Sequence, residues 1–144
     1  MPIAQTDDEL RAILSSYHRI AVVGLSSNPA RPSHGVAAYL QEQGYTIYPV
    51  NPRLAGGTVL GEHVYASLAE LPEPPEIVDI FRRSEYVEGI ADEAIAAGAR
   101  VLWTQLGVRN DAAASRADAA GITVVQDHCT EIEHSRLGIG RVTA

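Results

Sequence analysis

The chain has 144 residues, of which 46% are hydrophobic and 20% are charged, and its formal net charge at pH 7 is −7. This length suits one domain over residues 1–144 and is too short for a dinucleotide-binding domain followed by a substrate domain. No apolar run approaches the roughly 18 residues that a membrane helix needs. Because the start of the chain is polar and acidic where a signal peptide would be basic and apolar, we expect a cytoplasmic protein.

Residue counts exclude further classes of site. Cys129 is the only cysteine, which excludes an intrachain disulfide and a cysteine-pair zinc site and agrees with a reducing compartment. The sequence contains no lysine, so a P-loop lysine and a Schiff-base lysine are excluded as well. The histidines are scattered without the spacing of a metal site. Any bound anion must therefore be held by arginines, backbone amides and hydroxyl groups.

Helices and strands alternate along the sequence. Thr6 and Glu9 form a capping box that is followed by apolar residues at helical spacing, which predicts a first helix over residues 7–17. The predicted strands are the apolar runs at residues 20–23, 45–50, 77–81, 101–104 and 122–126. The predicted helices between them are one capped by Ser33 that runs to Gln43, a short one over residues 67–71, one capped by Ser84 and ended by Gly98, and one capped by Asn110 and ended by Gly121.

The end of the chain carries weaker signals. Glu131, Glu133 and His134 are most simply part of a solvated helical turn. We expect the tail after Gly138 to fray, because the ends of a domain are poorly ordered unless they are tied down.

Strands that are apolar on both faces and alternate with helices predict an α/β fold. The prediction is a single Rossmann-like, doubly wound parallel sheet of about five strands, with helices on both faces and right-handed crossovers. We predict the strand order 3-2-1-4-5. Ligands bind such sheets outside the carboxyl ends of the strands where the order reverses, here between strands 1 and 4. The loops after Val23 and Thr104 are therefore expected to flank a site.

Five of the eleven arginines follow predicted strands: Arg31, Arg53, Arg82, Arg83 and Arg109. In a chain of net charge −7 this placement predicts an anion site at one edge of the sheet. Arg82 and Arg83 are consecutive on an extended segment, so we expect their side chains to point to opposite faces and at most one to enter the cleft easily.

The loop from Gly24 to Ser33 follows the first strand but lacks the second and third glycines of G-x-G-x-x-G. It is either a plain β–α connection rich in turn residues or a phosphate site built from hydroxyls, Arg31 and helix amides. The loop after the second strand carries Arg53 where nicotinamide-binding folds usually place a carboxylate. A cation there suits the phosphorylated ribose of NADP or the 3′-phosphate of coenzyme A (CoA), although Arg53 is also compatible with a solvated surface position.

Together these segments resemble a known family. The motifs are Val22-Val23-Gly24-Leu25-Ser26 with Pro29, Arg31 and Ser33, then Tyr48-Pro49-Val50-Asn51-Pro52, Asp79-Ile80-Phe81-Arg82-Arg83, and Trp103-Thr104-Gln105-Leu106-Gly107-Val108. Over residues 7–135 they resemble the small CoA-binding protein family, which is similar to the CoA-binding domain of the succinyl-CoA synthetase α subunit. The resemblance implies CoA lying across the carboxyl edge of the sheet.

The resemblance also implies a role for each motif. The phosphates would be bound by Gly24, Ser26, Ser27, Arg31 and Ser33. The ribose 3′-phosphate and adenosine side would be bound by Asn51, Pro52 and Arg53. The remaining walls would be formed by Phe81, Arg82, Arg83, Gln105, Gly107 and Val108.

Single residues keep two interpretations. Phe81 fits either a core position or a contact with adenine or the pantetheine arm. Trp103 is expected in the core, and Gln105 could hydrogen-bond a base or an amide edge. Cys129 is either a buried structural cysteine or a thiol close enough to the cleft to form a mixed disulfide with CoA.

No catalytic constellation is identified in the sequence. Ser26 and Ser27 have no G-x-S-x-G elbow around them. The synthetases that the family resembles use a phosphorylated histidine in a further domain, and we expect no such domain in a chain of 144 residues. The sequence therefore favours a CoA-binding protein with a small-molecule ligand (CoA or acyl-CoA) and with neither a nucleic-acid nor a membrane partner. The alternatives are a small NADP-dependent oxidoreductase and a ligand-sensing subunit that docks to another protein.

Overall fold

The computed structural model describes residues 6–142. Its helices are α1 (Asp7–Ser16), α2 (Pro32–Glu42), α3 (Val87–Ala97), α4 (Asp111–Ala119) and α5 (Thr130–Arg136). Its strands are β1 (Arg19–Val23), β2 (Thr46–Val50), β3 (Thr58–Val59), β4 (Glu62–His63), β5 (Ile77–Ile80), β6 (Val101–Thr104) and β7 (Thr123–Val125). The short helix expected at residues 67–71 is a 3₁₀ turn at Leu68–Glu70. Within residues 6–142, no helix has both the length and the apolar character needed to cross a bilayer.

Five strands form one parallel sheet in the order β2-β1-β5-β6-β7, while β3 and β4 form a separate antiparallel pair. The predicted α/β class is confirmed, but the predicted order 3-2-1-4-5 is wrong. The third strand of the prediction is β5, which pairs with β1 on one side and β6 on the other. All four of its residues are buried, as a central position requires, so the strand order reverses between β1 and β5.

The sheet is covered on both faces because successive strand residues alternate between two cores. Ile20 and Val22 of β1 pack into one apolar cluster, which contains the buried residues of α1 and α2. Ala21 and Val23 pack into the other cluster, which contains the buried residues of α3 and α4. Trp103 is fully buried in the first cluster, which confirms its expected core position.

Two predicted helix caps are confirmed and two are wrong. Thr6 and Glu9 form the capping box of α1, and Asn110 accepts a hydrogen bond from Ala113 N at the start of α4. Ser33 and Ser84, however, do not cap helices. Ser33 Oγ accepts from Ser26 N at 3.0 Å, and Ser84 Oγ accepts from Arg109 N at 2.9 Å. The Ser33 bond closes the loop after β1 on itself, and the Ser84 bond ties the loop after β5 to the loop after β6.

The last residues that the structure describes, up to residue 142, are packed rather than frayed. His134 is 2% exposed, with Nδ1 2.7 Å from Tyr39 Oη and Nε2 2.8 Å from Gly140 O. Glu133 is buried too, and Val142 N donates to Gln43 O at 2.7 Å. The expectations of a solvated turn and a loose tail are therefore wrong up to residue 142. The predictions missed this because Tyr39 and Gln43, which bind His134 and Val142, are distant from them in sequence.

Candidate functional site

Two adjoining pockets lie at the carboxyl edge of the sheet, where the strand order reverses. One has a volume of about 840 Å³ and is called the Gln105 pocket; the other has a volume of about 600 Å³ and is called the Arg53 pocket. They share the lining residues Gly24, Ser26, Arg31, Phe81, Arg82 and Arg83. The predicted site flanks, the loops after Val23 and Thr104, both line the Gln105 pocket, but the loop after β5 lies between them because of the revised strand order.

The structure brings all fourteen residues to which the family resemblance gives a role to these two pockets. The Gln105 pocket adds Ser33, Gln105, Gly107 and Val108 to the shared set. The Arg53 pocket adds Ser27, Asn51, Pro52 and Arg53. Leu106 and Cys129 also line the Gln105 pocket, and Tyr86 lines the Arg53 pocket.

Gly24 sits where the two pockets meet and allows two loops to approach closely. Its φ is +90°, and a Cβ built on it would lie 2.7 Å from Phe81 O and 2.9 Å from Arg82 Cδ. A side chain at this position would be strained by the backbone conformation and would collide with the loop after β5. The glycine therefore sets the spacing between the loops after β1 and β5.

The loop after β1 is organised by its own short polar side chains. Ser26 Oγ accepts from Asn28 N at 3.0 Å, and Asn28 Oδ1 accepts from Ala30 N at 2.9 Å. Ser33 Oγ accepts from Ser26 N, as described above. A hydroxyl can accept and donate at the same time, so Ser26 and Ser33 can still donate to an anion. The N-cap residue of α2, Arg31, makes no side-chain capping bond.

The arginines of the protein fall into two groups. Most of those away from the pockets are ion-paired, namely Arg11, Arg19, Arg109, Arg116 and Arg136. By contrast, none of the carboxylates between residues 6 and 142 forms an ion pair with Arg31, Arg53, Arg82 or Arg83, which border the pockets. Four arginines without an ion-pair partner among the described residues are thus concentrated at one place in an acidic protein, and Glu85 is the only acidic residue in the two linings.

Two expectations about arginines are wrong. Arg109 lines neither pocket and pairs with Asp111, with Nε 3.4 Å from Oδ1. Arg82 and Arg83 both border the pockets, because β5 ends at Ile80 and the alternation of an extended strand no longer applies to them. The guanidinium of Arg82 lies 4.5 Å from the centre of the Tyr86 ring, a cation–π arrangement that holds it beside the Arg53 pocket.

Asn51 joins the loops after β1 and β2. Its Nδ2 donates to Leu25 O at 3.1 Å, and its Oδ1 accepts from Arg53 N at 3.0 Å. The backbone of Arg53 is therefore fixed relative to the loop after β1, while its side chain is exposed. The Arg53 side chain therefore extends from a hydrogen-bonded turn and lines the Arg53 pocket.

The loop after β6 is held by Asp127 and Thr104. Gly107 N donates to Asp127 Oδ1 at 2.7 Å, and Thr104 Oγ1 donates to Val108 O at 2.8 Å. These bonds fix the backbone that carries Gly107 and Val108 along the Gln105 pocket.

Gln105 is hydrogen-bonded to Asp79 and Thr130, two residues that were not predicted to belong to the site. Asp79 in β5 is fully buried and accepts from Gln105 Nε2 at 2.5 Å through Oδ1 and from Thr130 Oγ1 at 2.9 Å through Oδ2. Burial raises the pKa of Asp79 to about 7, although both hydrogen bonds favour the ionised form. An acidic residue inside an otherwise apolar strand was the signal that could have identified it.

Cys129 is 9% exposed and lines the Gln105 pocket. Burial raises the pKa of its thiol, so little thiolate is present at neutral pH. The residue thus combines both interpretations from the sequence, since it is buried and also borders the cleft. Among the described residues there is no group of three or more His, Cys, Asp or Glu side chains that could hold a metal ion.

Comparison with known proteins agrees with the sequence resemblance. The family described as "CoA binding domain" matches residues 18–135. The protein YneT of Bacillus subtilis is 42% identical over 127 residues, covering 88% of this chain and 93% of YneT. A Thermus thermophilus structure superposes with a TM-score of 0.89 at 43% identity, covering 92% of this chain and 99% of the other.

A hypothetical protein from Pyrococcus horikoshii OT3 also has a TM-score of 0.89, at 40% identity and 93% coverage of each chain. These proteins share both the fold and a large part of the sequence with this chain. The family match extends from β1 to α5 and so includes every loop that lines the two pockets. The chain belongs to the CoA-binding domain family.

Proposed function

We propose that this protein binds CoA across the carboxyl edge of its sheet, with the phosphorylated adenosine half at the Arg53 pocket and the pantetheine half at the Gln105 pocket. The observation that carries the proposal is the set of four arginines that border the pockets without a carboxylate partner among residues 6–142. Such a concentration of positive charge in a protein of net charge −7 suits a multiply charged anion.

The two pockets differ in the way that the two halves of CoA differ. The nucleotide half carries phosphates, whereas the pantetheine half is neutral and contains amides and a thiol. Arg31, Arg82 and Arg83 border both pockets, and Arg53 lines only the Arg53 pocket. The residues that line only the Gln105 pocket include the acidic Glu85 and the less polar Val36, Leu106, Val108 and Cys129. This match in charge supports the direction of the ligand.

The proposed contacts follow the pocket linings. The phosphates are bound by Gly24, Ser26, Ser27, Arg31 and Ser33, and the 3′-phosphate and adenosine by Asn51, Pro52 and Arg53. The remaining walls are Phe81, Arg82, Arg83, Gln105, Gly107 and Val108. CoA supplies a thiol that can carry an acyl group. In this proposal the protein binds and orients CoA in the cytoplasm.

The competing ligand is NADP, whose ribose phosphate would also suit Arg53. Membership of the CoA-binding domain family supports CoA instead. The loop after β1 also lacks the second and third glycines that let a dinucleotide pyrophosphate approach the backbone.

A thermal shift comparison tests the proposal. CoA at 100 times its Kd should stabilise the protein by about 2.7 kcal/mol and raise its Tm by several degrees. NADP at the same concentration should have a much smaller effect. Arg109→Ala is the matched control, because this arginine lies at the same edge but lines neither pocket, and its response to CoA should equal that of the wild type. A larger shift with NADP than with CoA would overturn the proposal.

A ligand that remains bound through purification offers a second test. Mass spectrometry under native conditions should detect the protein with an added mass of CoA or an acyl-CoA. Detection of a copurified NADP mass would instead favour the oxidoreductase alternative.

A further inference from the structure

Asp79 is an uncommon residue for its position. It lies in the central strand β5, is 0% exposed, and has no ion-pair partner among the residues that the structure describes. Burial of a carboxyl group is costly, and an apolar side chain of similar size would usually be more stable in such a place. The surrounding residues should therefore reveal what this carboxyl group does.

Asp79 fixes the direction of the Gln105 amide. A side-chain amide has a donor end, Nε2, and an acceptor end, Oε1. Nε2 donates to Asp79 Oδ1 at 2.5 Å and lies 3.3 Å from Thr130 Oγ1. The hydrogen of the Thr130 hydroxyl is already donated to Asp79 Oδ2, so Thr130 can only accept from Gln105. Both oxygens of Asp79 accept in this arrangement, which is that of the ionised carboxylate, and in this form both neighbours require the donor end of the amide.

The acceptor end consequently faces the Gln105 pocket. Gln105 lines this pocket and is 6% exposed. Oε1 of Gln105 has no hydrogen-bond partner among the described residues. In the same part of the chain, every fully buried side-chain oxygen or nitrogen has a partner, so Oε1 is not fully buried. Oε1 is therefore the accessible atom of this side chain.

We propose that Asp79 is a positioning residue that holds the Gln105 carbonyl oxygen toward the pocket and so makes the pocket selective for a ligand that presents an N–H group. This inference rests on the proposed function in one respect, the identity of the ligand. Gln105 lines only the Gln105 pocket, away from Arg53, so the N–H group it meets in CoA is a pantetheine amide rather than the adenine amine.

Calorimetric titration with CoA and with 3′,5′-ADP, which lacks pantetheine, tests the ligand side. Gln105→Leu should weaken CoA binding by about 2- to 10-fold, the usual effect of one neutral hydrogen bond, and leave 3′,5′-ADP binding unchanged. Asp79→Leu should give a loss of similar size for CoA only, because leucine offers no acceptor to hold the donor end of the Gln105 amide. Asp118→Leu, at an exposed position in α4, is the matched control and should change neither ligand.

The double variant Asp79→Leu with Gln105→Leu shows whether Asp79 acts through Gln105. Its loss of CoA affinity should equal that of Gln105→Leu alone, since there is then no amide to orient. Losses that add, or a weakening of 3′,5′-ADP binding by Asp79→Leu, would mean that Asp79 only supports the structure and would overturn the inference.

A measurement on the free wild-type protein covers the case in which a variant does not fold. In ¹H–¹⁵N spectra, the side-chain NH₂ of Gln105 should exchange slowly with water, because it is held by Asp79 inside the protein. Rapid exchange would place the NH₂ in the pocket and overturn the inference. If the wild type bound neither CoA nor 3′,5′-ADP, the proposed function would fail, and this spectrum would still decide the orientation of the amide.

Discussion

The two pockets are built in different ways. The Arg53 pocket is made by exposed loop residues, among them Arg31, Pro52 and Arg53, and neither arginine is ion-paired with a carboxylate of residues 6–142. The Gln105 pocket has a floor of buried side chains, including Ser33, Gln105 and Cys129, and Gln105 is hydrogen-bonded to the fully buried Asp79. Charge acts over several ångströms and tolerates mobile side chains, whereas amide polarity requires fixed geometry away from water. We therefore expect affinity to depend mainly on the first pocket and selectivity on the second.

Gly24→Ala should have the largest effect, because this residue forms the boundary of both pockets. The new Cβ would collide with Phe81 O and adopt an unfavourable backbone conformation, which should lower the free energy of unfolding by about 3 kcal/mol. Gly56→Ala is the control, since Gly56 has the same φ of +90° but nothing within 4 Å of the added Cβ. Urea unfolding should therefore show a loss of only about 1 kcal/mol for Gly56→Ala. Equal losses would contradict the proposed close approach of the loops.

The pH dependence of stability tests Asp79, the buried residue that binds Gln105. Because the pKa of Asp79 rises to about 7 on folding from an ordinary value of 3.8, folding favours its protonated form. Its stabilising effect is greatest below pH 4 and is lost as the pH rises through 7. Between pH 5 and pH 8 the titration of Asp79 should lower the free energy of unfolding by about 2–3 kcal/mol. Asp79→Asn should flatten the profile measured by urea unfolding, whereas Asp118→Asn should not; parallel profiles for all three proteins would contradict the pKa of Asp79.

Arg53→Ala tests the charged pocket. A charge-assisted hydrogen bond to phosphate contributes roughly 1.5–3 kcal/mol, so the variant should bind CoA about 10- to 150-fold more weakly. Dephospho-CoA should lose much less affinity. Calorimetric titration of both ligands against both proteins completes a double-mutant cycle, and additive effects would mean that Arg53 is only a surface charge. Arg109→Ala should match the wild type.

The smallest effect concerns Cys129. Because its thiol is 9% exposed and burial raises its pKa, the native protein should keep its unmodified mass after incubation with CoA disulfide. The urea-unfolded protein should be modified and serves as the control. Intact-mass measurement of a CoA adduct on the native protein would instead favour the mixed-disulfide hypothesis.

The same contrast explains what the sequence could predict. The exposed arginines and the loop after β1 were identified from residue type and position, because such groups are informative wherever they follow a strand. Asp79 and Thr130 were missed, since their importance depends on Gln105 lying between them, 26 and 25 residues away in sequence. The strand order was also wrong, because the pattern of apolar runs is compatible with β5 at the edge or at the centre.

The packing of the chain ends has a consequence for the order of folding. Arg136 pairs with Asp7, 129 residues earlier, and Val142 binds Gln43. The sheet face covered by α1, α2 and α5 thus depends on contacts between segments that are far apart in sequence, while the unit from β5 to β7 is continuous in sequence. Closing the long loop is entropically costly, so we expect the β5–β7 unit to form first during synthesis on the ribosome. α2, whose N-terminus borders both pockets, would then settle only after the segment from α5 to Val142 has been synthesised.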